Sequence, residues 1–94
     1  MAYGVYILTN YKTTVLYIGV TNNLPKRVYE HKMNYVEGFS QKYKCHNLIY
    51  FEEYLNIHDA IAREKQIKKW RRDKKEMLIN QANPEKRDLF KDIT

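Results

Sequence analysis

The sequence predicts a small mixed α/β domain of the α+β class, in which helices flank a three-stranded antiparallel sheet. Runs rich in β-branched and aromatic residues, which are typical of strands, lie at residues 3–9, 15–20 and 48–55. Segments that begin near Leu24 and near Ile57 instead place apolar residues at helical spacing. A chain of 94 residues has room for one domain. We assign it to residues 1–82, followed by a short charged C-terminal tail over residues 83–94.

The first two strands should form a hairpin, because residues 10–14 make a polar loop of the length that joins antiparallel strands. If the residue numbers of directly paired residues add up to an odd number, for example with Tyr6 opposite Tyr17, both phenols project from one face of the sheet. Taken alone, such a pair of tyrosines is more often packing than a functional site. The third run has apolar residues on both of its alternating faces, which favours a central position in the sheet.

The first long helix is predicted to begin near Leu24 and to run to about Tyr35. Either asparagine of the pair at 22–23 can cap it. Pro25 falls in its first turn, where the missing N–H costs no hydrogen bond. A glycine and a serine then mark a loop over residues 38–40.

A second long helix is predicted from Ile57 to about Arg72. Residues 73–76 have the spacing of a capping box that would open a third helix. The Asn-Pro pair at 83–84 should end that helix.

The composition indicates a folded protein and excludes several kinds of site. Hydrophobic residues make up 44% and aromatic residues 14% of the chain, which argues against disorder although 30% of the residues are charged. Cys45 is the only cysteine and so cannot form an internal disulfide, and with His46 and His58 it gives no metal-ligand spacing. Neither a leader nor a long apolar run is visible. We therefore expect a cytoplasmic protein without a membrane association or a zinc site.

The positive charge is concentrated in one stretch of the chain. Residues 63–75 contain eight basic and two acidic residues, which accounts for the whole net charge of +6. This concentration is typical of a surface that binds the phosphate backbone of nucleic acid, although a solvated helix face can have the same composition. Trp70 is also a candidate nucleic-acid-binding residue, because aromatic rings can stack on bases. The candidate nucleic-acid-binding residues are Arg63, Lys65, Lys68, Lys69, Trp70, Arg71 and Arg72.

Helical geometry places two ionisable residues on buried faces. His31 shares the apolar stripe of the first helix with Leu24 and Val28, and Glu64 faces inward on the second helix. A buried carboxylate without a partner costs several kcal/mol, so Glu64 needs a partner, a metal or an open cleft. A structural ion pair with Arg27 or His31 is one solution, and a functional cleft beside the two tyrosines is the other.

Several of these residues stand in an order that resembles a known family. The tripeptides Gly4-Val5-Tyr6 and Tyr17-Ile18-Gly19 resemble the paired signature of the GIY-YIG nucleases, with Val5 in place of the usual isoleucine. The match continues with Arg27 and His31 at Arg-x3-His spacing, and then with Glu64 in a later helix. The chain is most similar to the small, single-domain, uncharacterised bacterial members of the UPF0213-like group, in which a segment like residues 60–68 is typical.

The resemblance implies metal-dependent hydrolysis of phosphodiester bonds in DNA, with catalytic residues Tyr6, Tyr17, Arg27, His31 and Glu64. Glu64 would anchor Mg²⁺ or another divalent cation, because a single carboxylate suits an ion that keeps several waters and takes phosphate oxygens as ligands. Arg27 would hold the scissile phosphate, since its planar fork can bind two phosphate oxygens.

The two tyrosines and the histidine complete the implied site. Tyr6 would position or deprotonate the attacking water, and the second of these roles requires a pKa well below the value of about 10 of a free phenol. Tyr17 would hydrogen-bond in the same pocket, and His31 would orient Tyr6 or relay its proton. The late asparagine that supports the site in this family corresponds to Asn80 or Asn83.

Three functions follow as hypotheses. The first is a Mg²⁺-dependent endonuclease that acts as a monomer on DNA, including branched or single-stranded DNA, with RNA not excluded. The second is a nucleic-acid-binding module with little or no catalysis, which needs only the basic stretch. The third is a protein-interaction domain. The endonuclease requires Tyr6, Arg27 and Glu64 to meet near one point.

Overall fold

The computed structural model describes residues 2–94. It has three strands, four α-helices and a final 3₁₀ turn. In chain order they are β1 (Tyr3–Thr9), β2 (Leu16–Thr21), α1 (Leu24–Lys32), α2 (Phe39–Lys42), β3 (Asn47–Tyr54), α3 (Ile57–Lys69), α4 (Arg72–Ala82) and the turn Phe90–Asp92. The predicted α+β class with a three-stranded antiparallel sheet is confirmed. Within residues 2–94, no helix combines the length and the hydropathy needed to cross a membrane.

The sheet has the strand order β2-β1-β3, and both pairs are antiparallel. The prediction that the third strand is central was therefore wrong, because β1 occupies the centre. The error has a physical reason. Helices cover both faces of the sheet, so β3 is apolar on both faces even though it is an edge strand.

Two apolar clusters lie on opposite faces of the sheet. One packs α3 and α4 against it, and its buried residues are Val5, Ile7, Ile18, Ile49, Tyr50, Ala60, Ile67 and Ile79. The other packs α1 against it, and its buried residues are Tyr6, Leu8, Leu24, Val28, Cys45 and Leu48. Alternate residues of β1 thus belong to different clusters, as expected for a strand covered on both sides.

The register of β1 with β2 places the two tyrosines on one face, as the odd-sum register predicted, but Tyr6 is not directly opposite Tyr17 as in the example given above. Tyr6 pairs with Gly19, and Leu8 pairs with Tyr17. Because the register sums to an odd number, Tyr6 and Tyr17 lie on the same face, with ring centroids 6.4 Å apart. They are diagonal neighbours rather than direct partners.

Helix α1 ends three residues earlier than predicted. Asn23 is its N-cap and accepts a hydrogen bond from the Lys26 N–H at 3.2 Å, as proposed for one of the two asparagines. At the other end Asn34 has a left-handed φ of 58°, and the Tyr35 N–H donates to the Glu30 carbonyl at 2.9 Å. This Schellman arrangement stops the helix at Lys32.

Helices α3 and α4 are separate, as predicted, but α3 ends before the predicted end at about Arg72. Trp70 and Arg71 are both extended, so α3 ends at Lys69 and α4 begins at Arg72. The predicted capping box at residues 73–76 was therefore wrong, because Arg71 is the N-cap and no side chain caps the helix. The indole of Trp70 packs against the α3 side of the core, which supplies the tertiary reason for the break.

Residues 83–94 pack on the domain, although their charge suggested a tail. Leu89, Phe90 and Ile93 contact the cluster on the α1 side of the sheet. The Leu89 N–H donates to the Leu48 carbonyl at 2.7 Å, and the Leu48 N–H donates to Asp88 at 3.1 Å. The segment therefore satisfies backbone groups of the edge strand β3.

Asn83 fixes the start of this C-terminal segment. It is buried, and its amide donates to the carbonyls of Ile49 at 3.1 Å and Arg87 at 2.8 Å. Its oxygen accepts from the Arg87 N–H at 3.2 Å. Asn80, the other candidate for the late asparagine, is exposed and accepts a hydrogen bond from Lys86 at 3.0 Å. The contacts of Asn83 are structural ones, to a strand and to the following turn.

We expect Asn83→Ala to lower the free energy of unfolding by about 1–3 kcal/mol, because it leaves buried backbone groups without partners. Asn80→Ala is the matched control and should stay within about 0.5 kcal/mol of the parent protein. Urea unfolding of the two variants measures both values. Equal losses would show that the Asn83 hydrogen bonds do not hold the segment.

Candidate active site

Tyr6 is the centre of the site, and Gly19 makes room for it. Tyr6 is buried on the central strand, and a Cβ placed on Gly19 would lie 2.4 Å from the Tyr6 hydroxyl oxygen. No side chain fits at that distance, so the phenol can cross β2 only where β2 carries a glycine. The glycine of the second tripeptide is thus explained by the tyrosine of the first.

The Tyr6 hydroxyl begins a buried chain of hydrogen bonds. Its oxygen lies 3.2 Å from Nε2 of His31, and Nδ1 of His31 lies 2.9 Å from the Ser40 hydroxyl. Burial, with the charge of Arg27 adding to it, lowers the pKa of His31 to about 4, so the imidazole is neutral at pH 7. A neutral ring with Tyr6 donating to Nε2 carries its proton on Nδ1 and donates to Ser40.

Ser40 was not predicted as a site residue. The sequence placed it in a loop, whereas it lies in α2 and is buried. No local signal marks it, because its partner is nine residues away and the contact depends on how α2 packs. It is a positioning residue for His31.

Arg27 approaches Tyr6 from α1. Interaction with the Tyr6 phenol raises the pKa of Arg27, which keeps the guanidinium charged. Its NH1 group also lies 3.5 Å from Glu30, one turn further along the helix. The Arg27 side chain remains 39% exposed, so it can also reach a ligand from solvent.

Glu64 lies on α3, and its charge is the smallest of the effects that raise the pKa of Tyr6. Its side chain is only 13% exposed, which confirms that it faces inward, and Nζ of Lys68 lies 3.2 Å from its carboxylate. The i,i+4 spacing of Glu64 and Lys68 is visible in the sequence and could have predicted this pair.

The balance of these groups decides the ionisation of Tyr6. Burial, the neighbouring Tyr17 and the charge of Glu64 together raise the pKa of Tyr6 to about 12, although Arg27 lowers it. The lowered pKa that a basic Tyr6 would require is therefore not present in the free protein. Tyr6 is a neutral phenol at pH 7.

Comparisons with known proteins identify the family to which the chain belongs. Residues 2–77 match the family model described as the GIY-YIG catalytic domain. The chain belongs to the GIY-YIG family. A UPF0213 protein of Clostridium perfringens (strain 13 / Type A) is 36% identical over 89 residues, which cover 95% of each chain. The resemblance to the UPF0213-like members is confirmed, and GIY-YIG domains form a nuclease-type family, which implies a nucleic acid as substrate.

A solved structure has the same fold. The solution NMR structure of the UPF0213 protein BH0048 from Bacillus halodurans aligns with a TM-score of 0.57 over 90% of this chain and 89% of that chain. The two chains are 23% identical in the alignment. This similarity supports the arrangement of the sheet and helices described above.

The Glu64 carboxylate of the candidate site is not part of a cluster of possible metal ligands. Within residues 2–94, no group of three or more His, Cys, Asp or Glu residues is placed to hold a metal ion. Glu64 is the carboxylate whose charge acts on Tyr6. This donor set fits Mg²⁺, which keeps several waters and takes substrate oxygens as ligands, and does not fit a zinc-type centre.

An open cavity of about 560 Å³ lies beside the candidate site. Arg27 and Glu30 of α1, Val20 of β2, and Ile57 and Ile61 of α3 form part of its wall. The cavity therefore lies where α1 and α3 approach the β2 edge of the sheet. It gives a ligand access to the guanidinium of Arg27.

Several residues of the basic stretch are engaged within the protein. Arg63 pairs with Glu52, with its Nε 3.0 Å from the carboxylate, and its guanidinium lies 5.0 Å from the centre of the Trp70 ring. Lys74 lies 4.4 Å from the same ring. Two cations thus lie against Trp70, the aromatic residue that was predicted to stack on bases.

The remaining basic side chains differ in how available they are. Arg72 donates to the carbonyls of Thr13 and Thr14 at 2.8 and 3.0 Å, and so ties α4 to the hairpin loop. Lys68 pairs with Glu64, as described above. Lys65 and Lys69 are exposed and form no salt bridge within residues 2–94, and Arg71 is exposed with its Nε 3.9 Å from Asp73. The basic stretch is therefore not one continuous binding helix in this structure.

We expect Gly19→Ala to destabilise the protein by about 1–3 kcal/mol, because the new methyl group would overlap the Tyr6 ring. Gly4→Ala is the matched control, since its Cβ would lie 3.3 Å from a Leu24 side-chain carbon. Its cost should be smaller, because Leu24 needs to move by only a few tenths of an ångström to accept the methyl group. Urea unfolding compares the two, and a Gly4→Ala loss as large as the Gly19→Ala loss would contradict the steric explanation.

We also expect His31 to make stability depend on pH. The unfolded chain binds a proton at His31 below about pH 6.5, whereas the folded protein does so only near pH 4. Stability should therefore fall as the pH decreases, by at most about 2 kcal/mol between pH 7.5 and 5.0. His31→Gln should flatten this dependence more than His46→Gln, and urea unfolding at the two pH values measures it. An unchanged slope in His31→Gln would contradict a neutral, buried imidazole.

Proposed function

We propose that the chain is a divalent-metal-dependent endonuclease that hydrolyses phosphodiester bonds of DNA. The single observation that carries this proposal is a guanidinium of α1 that lines an open cavity and interacts with a buried phenol, on whose ionisation an inward-facing carboxylate of α3 also acts. Arg27 and Glu64 both act on the ionisation of Tyr6. A structural core has no need for such a set, whereas hydrolysis of a phosphodiester can use each of these groups.

Arg27 is the proposed phosphate ligand. It is charged, half-exposed and part of the wall of an open cavity. Two parallel N–H groups of a guanidinium match two phosphate oxygens, and they bind more strongly as negative charge grows in the transition state. The interaction with Tyr6 orients the guanidinium before substrate binds.

Glu64 is the proposed metal ligand. A bound Mg²⁺ would supply positive charge to the phosphoryl oxygens and acidify a bound water. Its remaining ligands would be waters and substrate oxygens, as a single protein carboxylate suggests. Lys68 occupies the carboxylate in the free protein, so cation binding and the Glu64–Lys68 pair compete.

Tyr6 is proposed to position the attacking water rather than to act as a base in the free protein. With a pKa of about 12 it keeps its proton at pH 7. The neutral phenol can still hold a water by hydrogen bonding, and His31 fixes the direction of its O–H. The pKa of His31 is about 4, so its imidazole does not keep an added proton at pH 7, and its proposed role is to orient Tyr6. Tyr17 lines the same face of the sheet.

The second candidate is a nucleic-acid-binding module without catalysis. One observation favours it, which is that the ammonium group of Lys68 already pairs with Glu64, the carboxylate whose charge acts on Tyr6. A module of this kind would need Arg27 and the exposed lysines but not a metal. Metal dependence therefore separates the two functions.

The test uses labelled branched, flapped, single-stranded and duplex DNAs, incubated with and without Mg²⁺. We expect Glu64→Gln to abolish cleavage with little change of metal-free DNA affinity. Arg27→Ala should lower kcat by about 100-fold or more, because it removes an electrostatic contact to the transition state. Absence of cleavage by the parent protein on every substrate would favour the binding module.

Lys68→Gln is the matched control for Glu64→Gln. It removes the partner of the carboxylate but keeps the carboxylate itself, so cleavage should persist and should need less Mg²⁺ for half-maximal rate. Circular dichroism confirms the fold of each variant. Full activity in Glu64→Gln would contradict the metal-ligand role, and an Arg27→Ala defect confined to KM would reduce Arg27 to a binding residue.

A further inference from the structure

Exposed apolar side chains are concentrated in one segment of the chain. Among residues 2–94, eight large hydrophobic side chains are exposed, and five of them lie between positions 29 and 43: Tyr29, Met33, Tyr35, Phe39 and Tyr43. Single exposed apolar residues need no explanation, but a concentration of them marks a binding surface. Four of the five are aromatic.

Phe39 and Tyr43 extend the aromatic face of the candidate site toward solvent. The Phe39 ring stacks beside Tyr17, with centroids 6.3 Å apart and planes at 24°, and the Tyr43 ring follows at 4.7 Å from Phe39. Tyr17 in turn lies 5.2 Å from the His31 ring. Phe39 and Tyr43 are 51% and 41% exposed. The row therefore begins at the buried site and ends on the surface.

Two lysines accompany the exposed rings. Nζ of Lys42 lies 5.5 Å from the centre of the Tyr43 ring, and Lys44 follows it on the surface. Within residues 2–94 neither lysine forms a salt bridge, in contrast to Lys68 and Arg63. Cations beside exposed aromatic rings are the combination that single-stranded nucleic acids require, because rings stack on bases and ammonium groups contact phosphates.

We propose that Phe39, Lys42, Tyr43 and Lys44, here called the α2 platform, bind unpaired bases of a nucleic-acid strand that enters the site. The inference deepens the proposed function and rests on it for the identity of that site. The occupant is a single strand because the faces of paired bases are stacked inside a duplex and cannot reach a ring. Continuity of the platform with Tyr17, and its unpaired positive charge, favour this occupant over an apolar protein segment.

The test measures anisotropy of labelled single-stranded DNA, single-stranded RNA and duplex DNA of equal length, in EDTA so that no metal-dependent cleavage occurs. The parent protein should bind the single strands more tightly than the duplex. Replacing Phe39 and Tyr43 together by alanine should weaken single-strand binding by at least about fivefold, the effect of losing one base–ring stack. Tyr11→Ala, at a 90% exposed tyrosine of the hairpin loop, is the matched control and should bind like the parent protein.

Two further variants separate stacking from folding and from charge. Phe39→Leu keeps apolar bulk beside Tyr17 but removes the aromatic face, so it should lose affinity while its thermal midpoint stays close to that of the parent. Replacing Lys42 and Lys44 by glutamine should lower the slope of log K against log salt by about 0.7 for each lost single-strand phosphate contact. The double-alanine variant should leave that slope unchanged, because it removes no charge.

The outcomes distinguish this inference from the proposed function. Unchanged single-strand affinity in the double-alanine variant, or a parent protein that prefers duplex, overturns the α2 platform even if the protein cleaves DNA. Platform-dependent binding by a protein that cleaves nothing supports the platform and contradicts the endonuclease. A platform effect seen with DNA alone, RNA alone or both assigns the strand that it binds.

Discussion

Burial of one hydroxyl group constrains the rest of the site. The Tyr6 phenol lies on the central strand under α1, and a buried hydroxyl without a hydrogen bond costs free energy. The protein meets this requirement with a neutral His31, and it leaves room for the ring by placing Gly19 on the neighbouring strand. Arg27 then adds a charge at the same oxygen. A glycine, a histidine and an arginine at fixed points of the sequence are thus consequences of one buried phenol.

The positively charged residues show that a nucleic-acid-binding surface cannot be located from composition alone, because the contacts of each residue in the folded chain also matter. In the sequence, the whole excess of positive over negative residues lies in residues 63–75. In the folded chain Arg63 is tied to Glu52, Arg72 is tied to backbone carbonyls of the hairpin loop, and Lys68 neutralises Glu64. These residues stabilise the fold and adjust the site, so they have less freedom to meet phosphate. Lys42 and Lys44 are fewer, but they form no salt bridge within residues 2–94 and lie beside exposed aromatic rings, so they are better suited to contact phosphate.

Sequence patterns predicted the features that depend on interactions between residues close together in the chain. The hairpin, the Asn23 cap and the inward faces of His31 and Glu64 follow from alternation, capping and helical period, and all are present. Strand order and the exact end of α3 did not follow, because an edge strand covered on both faces looks like a central one, and the end of α3 depends on where Trp70 packs. The contact of Ser40 with His31 was missed for the same reason, since it depends on tertiary packing.

Helix α2 connects the buried site to the surface, although it has only four residues. So short a helix has no stability of its own in water, and its position must come from tertiary contacts. Gly38 begins it with a φ of 107° that favours glycine, the Ser40 hydroxyl lies against His31 on its inner side, and Phe39 packs beside Tyr17. The contacts that hold α2 in place are therefore the contacts that orient the imidazole and the phenol. The same four-residue element therefore carries the exposed Phe39 ring on one side and, through Ser40, the hydrogen-bond partner of His31 on the other.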